Sequence, residues 1–586
     1  MSDDRSQPGA VLAVGSRLGA LAVFGFATVF LFALAPEAPL GRELGTCEVG
    51  AVKDVLAGHI VLPRFEPGVF VHVPPLYWWV AAGSVKVMGM TELALRAPAL
   101  LAAAATCAIL YWWLARAWSP RAGALGAAAL LFGQFFADAA RQPRMDSMLT
   151  LFVSAATVVL ETVIAGRSGR IRRSYAAAAI LIFLAVLSKG PLGIVLPALT
   201  IGLMLAVQGR FRELLRPALL ACFACSLIAA MTWYVAAYLV GGAEFFRWQV
   251  ETGLLKRFVP TEIGGAGFCK HPFYYFIPHI VTGFVPWSLF IPAVLAFGYT
   301  EFRSSGRSEA PQRRHALVFA GVWFAAIFGF FSFSTGKCLV YILPAFVPLS
   351  ALVGMTLDHL LDKDDASSWS ALLARTAVCV VGVAAAATLL AFIAIAAAGP
   401  LSFKALSLNP HRSDRAFFLL LESLAQAAQA EFLIFCALSA LACLSIAGGL
   451  WRGVFSRQIL GVAVFAAAGV LFWYGALNPM RAAQTSLRDF ARQIDELLPA
   501  TATVTYIGPA DCEVAFVYST LSIGYVNEPD SAIKPPAGYL IYRQDQFSAL
   551  APAIQQQFTI LARSAAVDSH GGRLLVIRGP TSDERT

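Results

Sequence analysis

Gly41–Trp79 reads GRELGTCEVGAVKDVLAGHIVLPRFEPGVFVHVPPLYWW, and whether its aromatic end crosses a membrane decides the architecture of the whole chain. The stretch follows the first apolar run and is the longest polar interruption in the first third of the sequence. It carries Arg42, Glu43, Glu48, Lys53, Asp54, His59, Arg64, Glu66 and His72 before it closes on Pro74-Pro75 and Tyr77-Trp78-Trp79. A connection between two helices needs only a few residues. One this long and this charged is expected to be a working part, with the remaining chain as its scaffold.

The surroundings are those of a membrane protein. Of 586 residues, 58% are hydrophobic and only 13% charged, and the mean hydropathy is +0.69. Soluble domains carry about a quarter charged residues. Apolar runs of about 18 residues recur, each long enough to cross a hydrocarbon core, whereas the short alternating segments of a barrel are confined to the C-terminal tail. The fold class is therefore all-α and polytopic. The net charge of +9 sits in short loops, Arg116–Arg121, Arg167–Arg173, Arg210–Arg216, Arg303–Arg314 and Arg452–Arg457. That placement marks cytoplasmic loops and not a nucleic-acid surface.

This charge pattern settles the opening stretch. Pro75–Met90 contains Ser84 and Lys86; were it to span, the basic clusters at Arg116–Arg121 and Arg167–Arg173 would fall outside. It is expected instead as an interfacial helix on the outer face, with Tyr77, Trp78 and Trp79 at the headgroups. An uncleaved first helix over 17–35 is then followed by spans at 97–116, 120–138, 147–166, 175–188, 191–208, 217–240, 273–299, 316–333, 339–357, 371–398, 431–450 and 458–476. The total of about 13 puts the N-terminus in the cytoplasm and the C-terminus outside. Residues 1–476 form the membrane domain, with 41–90 as its outer loop. In 477–586, LRDFARQIDELL reads as a helix and TVTYI, LSIGYV, YLIYR and RLLVI as strands, a small α/β domain.

Charges at the mouth of a membrane domain default to function. Glu43 lies just beyond the first helix. Asp146 stands in ARQPRMDSMLTLF at the entrance of an apolar span, beside Arg141 and Arg144; it also reads as a helix N-cap. Lys256 and Arg257 follow Glu251 in VETGLLKRFVPTE. Lys337 precedes Tyr341 in FSFSTGKCLVYILP, where a snorkelling anchor is the plainer reading. Two carboxylates and several cations beside a lipid-facing groove suit a substrate with a phosphate head and an apolar tail. Cations would hold the leaving phosphate, and a carboxylate would take a proton from an attacking hydroxyl. P-loop, GxGxxG, HExxH and GxSxG motifs are absent, and the cytoplasmic loops are too short for a nucleotide-sugar domain. Cys222 and Cys225 form a CxxC inside an apolar run and read as packing residues. Cys47, Cys269, Cys338 and Cys512 fall on the outer side, where a disulfide is open without a specified pairing.

In matching order over about Gly41 to Leu360, the strings GHIVLPR, PPLYWW, LALRAPA, ARQPRMDSMLTLF, LSKGPLGIVLP, ETGLLKRF, HPFYYFIPHIVTGFVPWSLFIP and STGKCLVYILPAFVPL resemble the GT-C fold glycosyltransferases of the ArnT type, relatives of the protein O-mannosyltransferases. The resemblance implies a GT-C fold with 13 helices and a periplasmic C-terminal domain, in the bacterial inner membrane. It implies transfer of an aminoarabinose-like or other monosaccharide from a polyprenyl (undecaprenyl) phosphate to lipid A or another periplasmic acceptor, by inverting displacement and as a monomer. Position by position, it places catalytic acids at Glu43 and Asp146. It places Arg257, Lys337 and Tyr341 at the donor phosphate; beside these matches, Lys256 is expected to add positive charge there, and Arg64, His72 and Arg144 are expected on the loop and acceptor side. A divalent metal is compatible with the acids but not demanded by the sequence. The chain departs from the family pattern at Leu44, Thr46-Cys47, His72-Val73 and Thr335. Those losses keep two rivals open, a flippase and a silent polyprenyl-lipid binder, beside a protein O-glycosyltransferase. A transporter should show inverted repeats and broken midplane helices, which the sequence lacks.

Overall fold

The structure is a computed structural model that describes residues 7–35, 46–66, 69–71, 73–248, 271–303, 311–334, 336–362, 368–406, 429–477, 487–499, 501–507, 521–526, 538–567 and 573–578. The membrane domain begins with α1 (Gln7–Ala33). The opening loop follows with α2 (Thr46–Leu56), the antiparallel pair β1 (Arg64–Glu66) and β2 (Val69–Phe70), and α3 (Leu76–Met88). The bundle continues through α4 (Glu92–Ala117), α5 (Pro120–Leu131), α6 (Gln134–Arg141), α7 (Asp146–Ile164), α8 (Ile171–Lys189), α9 (Leu192–Val207), α10 (Pro217–Trp248), α11 (Phe276–Gly283), α12 (Ile291–Arg303) and α13 (Pro311–Phe333). A 3₁₀ segment, Leu339–Ala345, leads into α14 (Phe346–Asp362), and α15 (Trp369–Leu406), α16 (Gln429–Trp451) and α17 (Phe455–Phe472) close it.

Among the described residues, ten helical stretches are long and apolar enough to cross a membrane. Two more form bent pairs: α5 with α6 at 64°, and α11 with Trp287–Arg303 at 109°. The remaining expected span, 191–208, is α9, an apolar helix of 16 residues. Every run expected to span is thus helical. The chain is a polytopic helical membrane protein. Burial sorts the helices by position. The spans of α4, α7 and Leu339–Asp362 are 72%, 78% and 83% buried, whereas α10, α15 and α16 are 28% buried. The first three form the interior, and the last three leave most of their apolar surface for lipid. Small residues set the closest approach, as they do wherever lipid supplies no hydrophobic drive between helices. A Cβ on Gly354 of α14 would come within 2.6 Å of backbone atoms of Ala122 and Gly126 on α5. Only glycine allows that crossing.

Helix α3 has 13 residues, roughly 20 Å at 1.5 Å per residue, too short to cross. Its aromatic start differs from the headgroup position expected for it. Tyr77 and Trp78 are 1% and 0% exposed, packed with Val49, Val52, Leu62 and Leu95 in a core that the loop shares with α4, α7, α8 and α10. Each polar tip has a partner, as buried Tyr and Trp require. Tyr77 Oη donates to Leu95 O at 2.7 Å, Trp78 Nε1 to Glu48 Oε2 at 2.6 Å and Trp79 Nε1 to Ile60 O at 2.7 Å. The described part of the loop folds as two short helices and a hairpin.

The C-terminal domain is a mixed sheet of β3 (Thr503–Ile507), β4 (Ser522–Val526), β5 (Tyr539–Arg543), β6 (Thr559–Val567) and β7 (Arg573–Arg578), ordered β4-β3-β5-β7-β6. The strand β3 is parallel to β4 and β5, while β7 runs antiparallel to β5 and β6. Helix α18 (Arg488–Leu497) covers one face with Phe490, Ala491 and Ile494. Four strands and this helix match the expected segments. The edge strand β6, TILARSAAV, does not alternate by polarity and was missed. Arg488 Nη1 lies 3.4 Å from Glu92 Oε1, which docks the domain at the start of α4.

Candidate functional site

The connection of α7 to α8 places the site. The two helices are antiparallel and turn at residues 165–170, so Asp146 at the start of α7 and Lys189 at the end of α8 lie level. The Lys189 ammonium donates to Asp146 Oδ1, and both residues are buried. Arg144 Nε stands 3.4 Å from Asp146 Oδ2 without hydrogen-bond geometry to it. Asp146 is not the helix cap. Met145 holds that position, and the carboxylate turns toward the lysine. On the far side of Lys189, the Tyr341 ring lies 4.8 Å from the ammonium, a cation–π contact.

Glu48 of α2 completes the cluster from above. It is 8% exposed, and its carboxyl accepts from Trp78. Burial pushes the Glu48 carboxyl up to about 7, while the charge of Arg144 and then the Trp78 bond act to hold it down. Asp146 and Lys189 also lie within its electrostatic reach. The result is two carboxyls and two cations enclosed at one end of the bundle. Their local dielectric is low, so each charge acts strongly on the others.

The residues expected at the site distribute unevenly. Asp146, Arg144 and Tyr341 come together. Lys337 is buried nearby, but its ammonium donates to Ser334 O at 2.6 Å and His271 O at 3.0 Å. It ties the turn before Leu339 to the start of the 271–275 segment and does not meet Asp146. Arg64 is exposed on β1, with its backbone N–H donating to Asp54 Oδ2 at 2.8 Å. Glu43, His72, Lys256 and Arg257 lie outside the described residues. Cys338 is a free thiol, as are Cys222 and Cys225. Among the described residues no three His, Cys, Asp or Glu side chains converge as a metal requires.

Sequence reasoning missed Glu48 and Lys189. Glu48 was one of nine charges in the loop with nothing to single it out. Lys189 had a signal. A lysine closes an apolar run in LSKGP, on the side of the bundle that also carries Asp146.

Three comparisons bear on this arrangement. A family model described as dolichyl-phosphate-mannose-protein mannosyltransferase matches residues 72–235. An undecaprenyl phosphate-alpha-4-amino-4-deoxy-L-arabinose arabinosyl transferase from Pseudomonas fluorescens is 27% identical over 315 residues, 53% of this chain and 52% of the relative. One from Proteus mirabilis is 28% identical over 297 residues, half of each chain. The match thus spans about half the length of these curated relatives. In fold, the crystal structure of ArnT from Cupriavidus metallidurans bound to undecaprenyl phosphate superposes with a TM-score of 0.72 at 23% identity, covering 96% of this chain and 99% of that one. The chain has the GT-C fold of ArnT and, over about half its length, resembles arabinosyl transferases.

Proposed function

We propose that the chain is an inner-membrane glycosyltransferase that takes a monosaccharide from an undecaprenyl-phosphate carrier and gives it to an acceptor on the periplasmic side. The observation that carries this reading is the enclosed Asp146–Lys189–Arg144 cluster at the end of the bundle opposite the basic loops. An acceptor oxygen attacks the anomeric carbon as the carbon–oxygen bond to the carrier phosphate breaks, and the carrier leaves with its electron pair as lipid phosphate. Lys189, Arg144 and the expected Arg257 supply positive charge to the phosphate as it leaves. In this reading Asp146 orients the cations, and it or Glu43 takes the proton of a hydroxyl acceptor.

The test is purified protein in lipid nanodiscs with radiolabelled undecaprenyl-phosphate sugars, pentose and hexose, and with lipid A or a periplasmic protein extract as acceptor. Label moving to lipid A with release of undecaprenyl phosphate supports the reading. Label moving to protein would favour the mannosyltransferase alternative that the family match at 72–235 raises. No transfer from any donor, with the lipid still bound, leaves a lipid binder.

Glu48 gives this activity a pH signature. Below its value of about 7 the carboxyl is neutral, and above it a negative charge joins Arg144, Asp146, Lys189 and the Trp78 and Tyr77 side chains around it. Anionic substrates should therefore bind less well as pH rises through 7. We expect KM to climb about three- to tenfold between pH 6 and 8, and the climb to vanish in Glu48→Gln, whose side chain still accepts from Trp78. Identical pH profiles for the two proteins would remove Glu48 from the site.

A further inference from the structure

Positive charge at the end of the bundle away from Asp146 fits the orientation rule for membrane proteins. That rule asks for the sign of the charge and not for where each side chain goes. In most of the basic loops the arginines are taken up by neighbours. Arg121 pairs with Asp358 and Asp362, and Arg167 with Glu161. Arg116, Arg303 and Arg313 each lie 5.3 Å from the centre of an aromatic ring, those of Trp112, Tyr299 and Trp118.

One corner is built differently. The turn at 165–170 and the start of α8 meet the 3₁₀ segment Phe211–Leu215, which joins α9 to α10, and the start of α10. Arg210 draws these pieces together. Its guanidinium donates to Ile164 O at 3.1 and 3.2 Å, at the end of α7, and to Glu213 Oε2 at 2.7 Å. Glu213 Oε1 also takes Arg216 Nη2 at 3.2 Å, and the Arg216 guanidinium faces the Tyr175 hydroxyl of α8. The corner so joined carries Arg170, Arg172, Arg173, Arg210, Arg212 and Arg216, and among the described residues its own acid is Glu213. Arg170, Arg172, Arg173 and Arg212 are exposed and form no ion pair among those residues.

The 3₁₀ segment also fixes the depth of these charges. Phe211 and Leu215 are 59% and 72% exposed, while Leu214 between them packs on the bundle core. Ile171, between Arg170 and Arg172, is exposed as well. Large apolar side chains turned outward at the end of a membrane bundle belong at the boundary of acyl chains and headgroups. The arginines beside them then stand at the level of the lipid phosphates. Like charges gathered in one corner repel one another unless anions come between them.

We propose that this corner binds the headgroup of an anionic phospholipid through Arg170, Arg172, Arg173 and Arg212, with the acyl chains lying along Phe211, Leu215 and the exposed Leu220 of α10. The guanidinium fork suits phosphate oxygens. A headgroup with two phosphates engages more of the four arginines than a headgroup with one. The site rests on the membrane fold alone and is independent of the transferase reading.

Native mass spectrometry of detergent-purified protein, titrated with cardiolipin, phosphatidylglycerol and phosphatidylethanolamine, tests it. Native protein should hold cardiolipin most tightly, phosphatidylglycerol less and phosphatidylethanolamine least. Arg172→Gln/Arg212→Gln should weaken cardiolipin binding about 10- to 30-fold. Arg172→Lys/Arg212→Lys should lose less, because the charge is kept and only the fork is lost. A matched variant, Arg452→Gln/Arg457→Gln, removes two exposed arginines from the turn between α16 and α17. Its cardiolipin affinity should stay within about twofold of native, since charge acts on a headgroup only at short range. Circular dichroism and a single gel-filtration peak show that each variant is folded. Equal losses in the two Gln variants would mean that the lipid answers to net charge, and the site would be overturned. Native protein that holds cardiolipin no better than phosphatidylethanolamine would overturn it too.

Discussion

Lys189→Met should lower kcat/KM for sugar transfer by roughly 10²- to 10³-fold, the usual cost of removing one donor that stabilises developing charge in an active site. The reason is local. Lys189 supplies the hydrogen bond to Asp146 Oδ1, and among the described residues the other oxygen faces Arg144 at 3.4 Å without a hydrogen bond. Without the lysine, the carboxylate remains enclosed with one misaligned guanidinium, and the Tyr341 ring loses the cation beside it. Lys189→Arg should recover part of the activity, since it restores charge but not the ammonium position. The double variant Asp146→Asn/Lys189→Met should be little worse than either single variant, because both remove the same interaction. Kinetics on detergent-purified, monodisperse protein decides the matter. A Lys189→Met enzyme within about threefold of native kcat/KM would show that the pair only holds helices together.

The membrane domain was legible because its signals are additive along the chain. Length and hydropathy identified each span, and the basic loops excluded Pro75–Met90 from spanning, which the 13-residue α3 bears out. The strands 503–507, 522–526, 539–543 and 573–578 were legible from β-branched and aromatic runs, whereas β6 follows no alternation and is set by pairing with β7. The site was legible in halves. Asp146 stands out as a charge at the edge of an apolar run, but its partner is 43 residues away. Even so, an antiparallel hairpin centred on the basic turn near Arg167 places residue 146 opposite residue 189. That geometry was available in the sequence. Glu48 was not legible, since its role depends on Trp78 of a second short helix folding over it. Lys337 was read as a phosphate ligand on its charge, and its backbone contacts depend on loop conformation that no periodicity encodes.

Glu161→Ala should test the opposite end of the same helix and cost stability without costing the reaction. Glu161 is 1% exposed and lies 15 residues from Asp146 on α7, roughly 22 Å along its axis. Its carboxylate accepts from Trp113 Nε1 of α4 at 3.1 Å, pairs with Arg167 and meets His315 Nε2 of α13 at 3.1 Å. His315 is in turn 3.1 Å from Gln208 Nε2 at the end of α9. One buried carboxylate thus joins the ends of four helices, and truncating it leaves the indole donor and the guanidinium without their acceptor. A loss of about 3–5 kcal/mol is expected. In a protein of this size, where thermal unfolding is read as inactivation, that should lower the inactivation temperature by about 2–4 °C. Glu161→Gln, which keeps an acceptor for Trp113, should lose less. The protein that survives should transfer sugar with kcat and both KM values within about twofold of native, because nothing at the Asp146 end has changed. Lys189→Met also breaks a buried ion pair and should lose stability too, but unlike Glu161→Ala it should lose the reaction in the protein that remains folded. If Glu161→Ala instead reduced kcat without lowering the inactivation temperature, the two ends of α7 would be coupled, and the cluster at Asp146 could no longer be treated as a self-contained site.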